Sequence, residues 1–203
     1  ARVISDPTPS SFDRKTEPAF GKPVTLKAPK IWRGELVNGM SVFGTSTSET
    51  PLVQFNLKID AGDLRATTDK PMIPTLTAMM LEKGTTSKTT AQLEAAIKAL
   101  GSSISVFSNA SGTYITGTTL SRNFDSTLAL VTDMLTQPRW DTEEFDLLKR
   151  AASAQIDQSQ ANPNAISSRE FAAIFYPQDN IYSVSGYGEK SKLETESKTS
   201  HRL

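Results

Sequence analysis

Apolar and polar residues alternate in one early segment of the chain and recur at helical spacing in several later segments. Within residues 52–59, every second side chain is apolar, which is typical of a strand with one buried face. Asn38-Gly39 lies between two short apolar runs and is a strong hairpin sequence. Residues 109–112 separate two further strand-like runs. The pattern therefore predicts a first hairpin, a longer third strand and a second hairpin later in the chain.

Five segments have apolar residues three or four positions apart and predict helices. They begin near Pro71, Thr90, Phe124, Asp141 and Ile166. The elements follow the order strand, strand, strand, helix, helix, strand, strand, helix, helix, helix. Short turns between adjacent strands predict antiparallel pairing. The separate runs of strands and helices predict a two-layer α+β domain, with a mainly antiparallel sheet and helices packed on one of its faces.

The ends of the predicted helices contain residues that favour a start or a stop. Gly84 follows the first helix, where a left-handed residue is preferred. Thr89 or Thr90 can cap the second helix. Asp141 with Glu144 gives the long fourth helix a start that resembles a capping box. These residues and the apolar spacing point to the same helix bounds.

Residues 1–30 have a composition that differs from the rest of the chain. They contain five of the eleven prolines, with Ser, Thr and Lys between them. Such a segment can bury little apolar surface, so we predict an extended Pro-rich linker, although an ordinary N-terminal tail fits the composition equally well. Residues 31–203 are then predicted to form one α+β domain, incomplete or frayed after about residue 188. We expect the chain to be a piece of a longer protein.

The composition excludes several classes of function. Lys plus Arg equals Asp plus Glu, 22 against 22, so we expect no nucleic-acid partner. No apolar run approaches the length of a membrane span, and we expect no membrane partner. The chain has no Cys, which excludes disulfides and thiolate metal sites but leaves the compartment open. Its single histidine, His201, lies three residues from the end in a polar tail, a poor position for a catalytic triad or a zinc site.

An ordered set of segments resembles the M16 metallopeptidases, the pitrilysin and insulinase family. The segments are LVNGMSVFG, a strand ending in IDAGDL, a helix ending in MMLEKGT, the hairpin KALGSSISVFSNASGTYITGTTL and a long helix ending in ANP. The resemblance covers Ile31 to Gly188 and implies the M16/LuxS-like metallohydrolase fold. It also implies that residues 1–30 are the linker between two halves of a longer protein.

The resemblance also locates a zinc motif that this chain lacks. In the family's catalytic domains, the first helix carries His-x-x-Glu-His just before a Leu-x-Lys-Gly-Thr segment, which Leu81 to Thr85 matches. Counting back places the two His positions at Thr75 and Met79 and the Glu position at Ala78. A hydroxyl is a weak zinc ligand, a thioether prefers soft metals, and a methyl group moves no proton. We expect these three side chains to pack or hydrogen-bond and to bind no metal.

The third zinc ligand of the family is a Glu on the later long helix. The best match here is Gln155, eight residues before Pro163. An amide carries no charge to hold zinc, so every expected ligand position is neutral. The resemblance therefore predicts that this chain has no catalytic, cofactor-binding or metal-binding residue of its own. Zinc is expected only in the catalytic half of the parent protein.

The resemblance implies a non-catalytic domain from the C-terminal half of a zinc-dependent M16 metallopeptidase. Its partners would be the catalytic M16 half, in the same polypeptide or another subunit, and the peptide substrate that the halves enclose. A periplasmic or secreted location is expected, with the cytoplasm as the alternative. Two rival hypotheses remain open: an M16-like scaffold or assembly subunit with no peptidase activity, and an unrelated enzyme that uses a cluster of carboxylates or Ser and Lys.

Overall fold

The computed structural model describes residues 17, 21, 28–47, 49–184 and 190–195, and the chain divides into two units after residue 48. In the first unit, β1 (Trp32–Glu35) and β2 (Ser41–Gly44) form the predicted antiparallel hairpin. Its turn contains Gly39 at φ 81°, a conformation that favours glycine. The predicted linker lies almost entirely outside the described residues, so it stays a prediction.

The second unit contains the remaining strands and all the described α-helices. They are β3 (Leu52–Ile59), α1 (Ile73–Leu81), α2 (Thr90–Ala99), β4 (Ser103–Asn109), β5 (Gly112–Leu120), α3 (Phe124–Thr136), α4 (Thr142–Gln160), α5 (Pro163–Phe175) and α6 (Lys190–Thr195). Short 3₁₀ turns lie at Asp63–Arg65, Ser121–Asn123 and Ile181–Ser183. The five predicted helices are all present. Among the described residues, none of the helices combines the length and the apolar character needed to cross a membrane.

The second unit contains a three-stranded antiparallel sheet in the order β3-β5-β4. The partner of β3 is β5, with Leu52 opposite Leu120 and Ile59 opposite Thr113. The eight-residue β3 thus forms a full ladder with the nine-residue β5.

The two faces of this sheet differ in the way that the alternating pattern predicted. Side chains from one face join residues of α1, α2 and α3 in a core cluster. Its fully buried members are Ala78, Leu81, Leu93, Val106, Ile115, Leu130, Val131 and Met134. The opposite face presents polar side chains such as Gln54, Asn56 and Ser105. The prediction of an α+β domain with an antiparallel sheet and helices on one face is confirmed.

A second core cluster joins α1, α4 and α6. Its buried members are Met72, Leu76, Met80, Phe145, Ala152, Ile156 and Leu193. The expectation that the domain is incomplete or frayed after about residue 188 stays a prediction. Within the described residues, Leu193 is only 2% exposed, and Lys190 forms an ion pair with Asp157 on α4. A buried apolar side chain and an ion pair therefore both attach this short helix to α4.

On α3, a polar residue is buried where its apolar neighbour is not: Thr127 is fully buried, whereas Leu128 is exposed. Thr127 belongs to a hydroxyl triad in which its Oγ1 lies 2.9 Å from both Ser102 Oγ and Thr119 Oγ1. Because each hydroxyl both donates and accepts, a closed group of this kind can be buried at little cost.

Candidate functional site

The helix α1 is where the family's zinc motif would lie. Pro74 occupies its first turn, where a missing N–H costs little, whereas Pro71 precedes the helix. Two residues beyond the C-cap residue Glu82, Gly84 has a φ of 99°. A Cβ on Gly84 would lie 2.6 Å from the carbonyl oxygen of Lys88, so both its conformation and its surroundings require glycine. The segment that anchored the resemblance is therefore the turn that ends α1.

The three degenerate motif positions have different surroundings. Ala78 is 1% exposed and belongs to the core cluster under the sheet, as expected of a side chain that packs. Thr75 is half-buried. Met79 is 38% exposed, unlike the fully buried Met80. Leu76 and Met80 lie on the α1 face that packs against α4, and Met79 is not part of that face.

Gln155, the position of the third ligand, lies on the exposed side of α4. It lines a cleft of about 880 Å³ between α4 and α5, together with Gln158, Ser159, Arg169 and Ala172. None of the three motif positions on α1 lines this cleft. The structure therefore places α1 beside α4, as a two-helix metal site would need, but without converging donor side chains.

The chemistry available at these positions is limited to two hydrogen-bonding groups, a hydroxyl and an amide. Neither carries the negative charge or the basic nitrogen that holds Zn²⁺ in proteins. Across the described residues, no group of three or more His, Asp or Glu side chains lies close enough to hold a metal ion.

Comparisons with known proteins agree with this geometry. The sequence model of Insulinase (Peptidase family M16) matches residues 42–183, well over half of the chain. The chain belongs to the M16 peptidase family. The M16 inactive domain from Pseudomonas fluorescens has a similar fold, with a TM-score of 0.77 and 18% identity over 82% of this chain and 40% of that chain. A protease from Helicobacter pylori gives a TM-score of 0.76 and 15% identity over 86% of this chain and 42% of that chain.

Both solved chains are much longer than this chain, which spans about two fifths of each. At such low identity, the likeness establishes the fold and not the activity. No curated protein matches the sequence. The resemblance on which the sequence was assigned to the M16 family, and the fold that it implied, are confirmed.

The IDAGDL segment of this M16 domain has a structural role. A Cβ on Gly62 would lie 2.3 Å from the carbonyl oxygen of Asn109 and 2.3 Å from the amide nitrogen of Gly112. Gly62 therefore permits the end of β3 to contact the turn of the β4–β5 hairpin directly. Next to it, Asp60 pairs with Arg65, and this contact lowers the pKa of the exposed Asp60 carboxyl. The motif joins two segments of the M16 fold.

Two carboxylates with altered pKa values were not predicted from the sequence. Burial raises the pKa of Asp63, whose Oδ1 is buried without a hydrogen-bond partner in the described structure. Burial also raises the pKa of Glu82, although a hydrogen bond from the Val106 N–H and the charge of Lys83 oppose this. Both residues lie in turns, where acidic residues are common, so the sequence offered no signal for their burial.

Proposed function

We propose that this chain is a non-catalytic domain of a larger zinc-dependent M16 peptidase, where it forms part of the wall that encloses the peptide. The observation that carries the proposal is an M16 fold whose motif helix presents Thr75, Ala78 and Met79 in place of zinc ligands and general base. The structural likeness to an M16 inactive domain supports it. The zinc and the catalytic residues would belong to the partner half.

The uncovered face of the β3-β5-β4 sheet suits the wall of such a chamber. Around a shallow depression of about 410 Å³ in this face, the polar side chains are neutral and hydrogen-bonding. The polar residues are Gln54, Asn56, Ser103, Ser105, Thr116 and Thr118. A surface of this kind can contact peptides of many sequences, because hydroxyls and amides donate and accept hydrogen bonds without a fixed charge preference.

Cleavage assays on separated halves test the proposal. The chain alone should hydrolyse no quenched fluorogenic peptide in a chelator-sensitive manner and should contain far less than one zinc per chain. The catalytic half should be weak alone, and adding this chain should restore cleavage. Chelator-sensitive hydrolysis by the chain alone would contradict the proposal. If neither half of the parent contains His-x-x-Glu-His, the hypothesis of an M16-like scaffold replaces this proposal.

Site-specific photo-crosslinking in the parent tests the proposed wall. A benzophenone amino acid at Thr116, on the uncovered sheet face, should crosslink to a bound peptide. The matched control is the same amino acid at Ser126, exposed on the helical side in α3. Equal crosslinking from both positions would remove the sheet face from the chamber.

A further inference from the structure

The C-terminal end of α1 makes a specific contact with the edge of the sheet. Glu82 is the residue that caps α1, and its Oε1 accepts a hydrogen bond of 2.6 Å from the Val106 N–H. Val106 lies in the middle of β4, which is an edge strand in the described part of the chain. The helix α1 runs alongside this strand.

The Val106 N–H points away from β5, toward the outer edge of β4. Val106 lies opposite Ile115 on β5, yet its N–H is directed to Glu82. In an antiparallel pair, the residues whose amides point away from the partner strand alternate along the chain. Ile104 and Ser108 therefore share this outward direction with Val106. Glu82 accepts from the central one of these three outward-pointing amides.

We propose that Glu82 closes the edge of β4 to extended peptides, so that this domain contacts a peptide without adding it to its sheet as a strand. A peptide that adds to an edge must accept from successive outward N–H groups, and its carbonyl oxygens would meet the Glu82 carboxylate at the central position. A charge placed at an edge is a common way for proteins to prevent such pairing. This inference concerns the chain itself and holds whether or not the parent is a peptidase.

The surroundings of Glu82 support a fixed contact and not a passing one. The side chain is half-buried, and burial raises the pKa of its carboxyl. The Val106 N–H is the first of the two contributions that oppose this rise, with Lys83 the second. The hydrogen bond from the Val106 N–H stabilises the charge of the half-buried carboxylate, and the carboxylate in turn gives this amide an acceptor.

Peptide binding to three variants of the chain tests the proposal. Glu82→Ala removes the acceptor, Glu82→Gln keeps an oxygen but removes the charge, and Glu94→Ala removes an exposed carboxylate on α2 as the matched control. The probe is a fluorescein-labelled octapeptide of alternating Thr and Val with blocked ends, followed by fluorescence anisotropy. Glu82→Ala should bind at least about tenfold more tightly than wild type, with Glu82→Gln between them and Glu94→Ala unchanged.

Amide NMR signals show where the probe binds. In Glu82→Ala, chemical-shift changes should centre on Ile104, Val106 and Ser108, and a probe N-methylated at alternate residues should lose the gain in affinity. Equal affinity of wild type and Glu82→Ala, or a gain that survives N-methylation, would overturn the proposal.

Hydrogen exchange in the wild-type chain gives a second readout that needs no variant. The Val106 amide should exchange more slowly than the amides of Ile104 and Ser108, because only Val106 has the Glu82 carboxylate as its acceptor. Equal exchange at the three amides would overturn the proposal even if Glu82→Ala fails to fold.

Discussion

The helices α4 and α5 follow each other in the chain, and both have apolar residues at helical spacing, but only one of them is buried. Phe145 of α4 is 4% exposed, between residues of α1 and α6. Phe171 of α5 is 64% exposed, and Ile174 on the same helix is 86% exposed. None of the residues of α5 is fully buried. Apolar spacing thus predicted both helices equally well but did not predict which of them contributes fully buried residues to a core cluster.

The two helices begin in similar ways, which makes the difference in burial clearer. Asp141 accepts hydrogen bonds from the N–H groups of Glu143 and Glu144 at the start of α4. Asn162 accepts from the N–H groups of Asn164 and Ala165 at the start of α5. Local capping is therefore alike in both, whereas tertiary packing is not. On α5, Phe171 and Phe175 stack on each other at the surface, and their ring centroids are 5.4 Å apart.

The largest expected effect comes from truncating one phenylalanine on each helix. Phe145→Ala should lower the free energy of unfolding by about 3–5 kcal/mol, because it leaves a cavity between α1, α4 and α6. Phe171→Ala, the matched change on α5, should cost less than about 1 kcal/mol, since it removes mainly a stacked contact at the surface. Urea denaturation of both variants measures the difference. Losses of similar size would mean that α5 is as well packed as α4.

A smaller effect is expected from α6, the short helix that packs against α4. Leu193→Ala should cost about 2–4 kcal/mol, because Leu193 is the side chain by which α6 enters the second core cluster. Glu194→Ala is the control, since the contact of Glu194 with Lys149 uses its main-chain oxygen and survives the change. Thermal denaturation compares the two variants, and equal midpoints would show that α6 contributes nothing to α4.

The capping residue of α5 should matter mainly to α5 itself. Asn162→Ala leaves two N–H groups of the first turn without their side-chain acceptor and should cost that helix about 1 kcal/mol. Because α5 is weakly attached, the loss should appear as faster amide exchange in residues 164–167 more than as a shift of the global unfolding transition. Asn164→Ala, two residues later in the same first turn, serves as the control. A full loss in global stability would instead indicate that α5 unfolds together with α4.

The smallest effect concerns the charge at the start of α4. Hydrogen bonding from Arg139 first, and from the Glu144 and Glu143 amides next, lowers the pKa of Asp141. A carboxyl whose folded pKa is lowered stabilises the fold above its ordinary pKa, and this contribution is lost as the pH falls through the folded value. Asp141→Asn should therefore be less stable than wild type at neutral pH, and the two should converge in acid. A difference that is constant with pH would contradict this.

The sequence predicted the helices, the antiparallel strands and the family, because these follow from local spacing and short segments. It did not predict the pairing of β3 with β5, which joins strands that are distant in the chain. The burial of Thr127 was also missed, since it requires partners 8 and 25 residues away in the chain. The contact between Glu82 and Val106 joins a helix end to a strand 24 residues later, and no local pattern announces it.

Gly62 has a consequence for which substitutions a domain of this kind tolerates. If the chain is the non-catalytic domain proposed above, replacing Thr75 or Met79 carries no penalty in catalysis. A methyl group at Gly62 would still collide with the main chain of the β4–β5 turn, whatever the domain does. The contact between these backbone segments therefore limits which residues the fold accepts at Gly62, independently of any metal site.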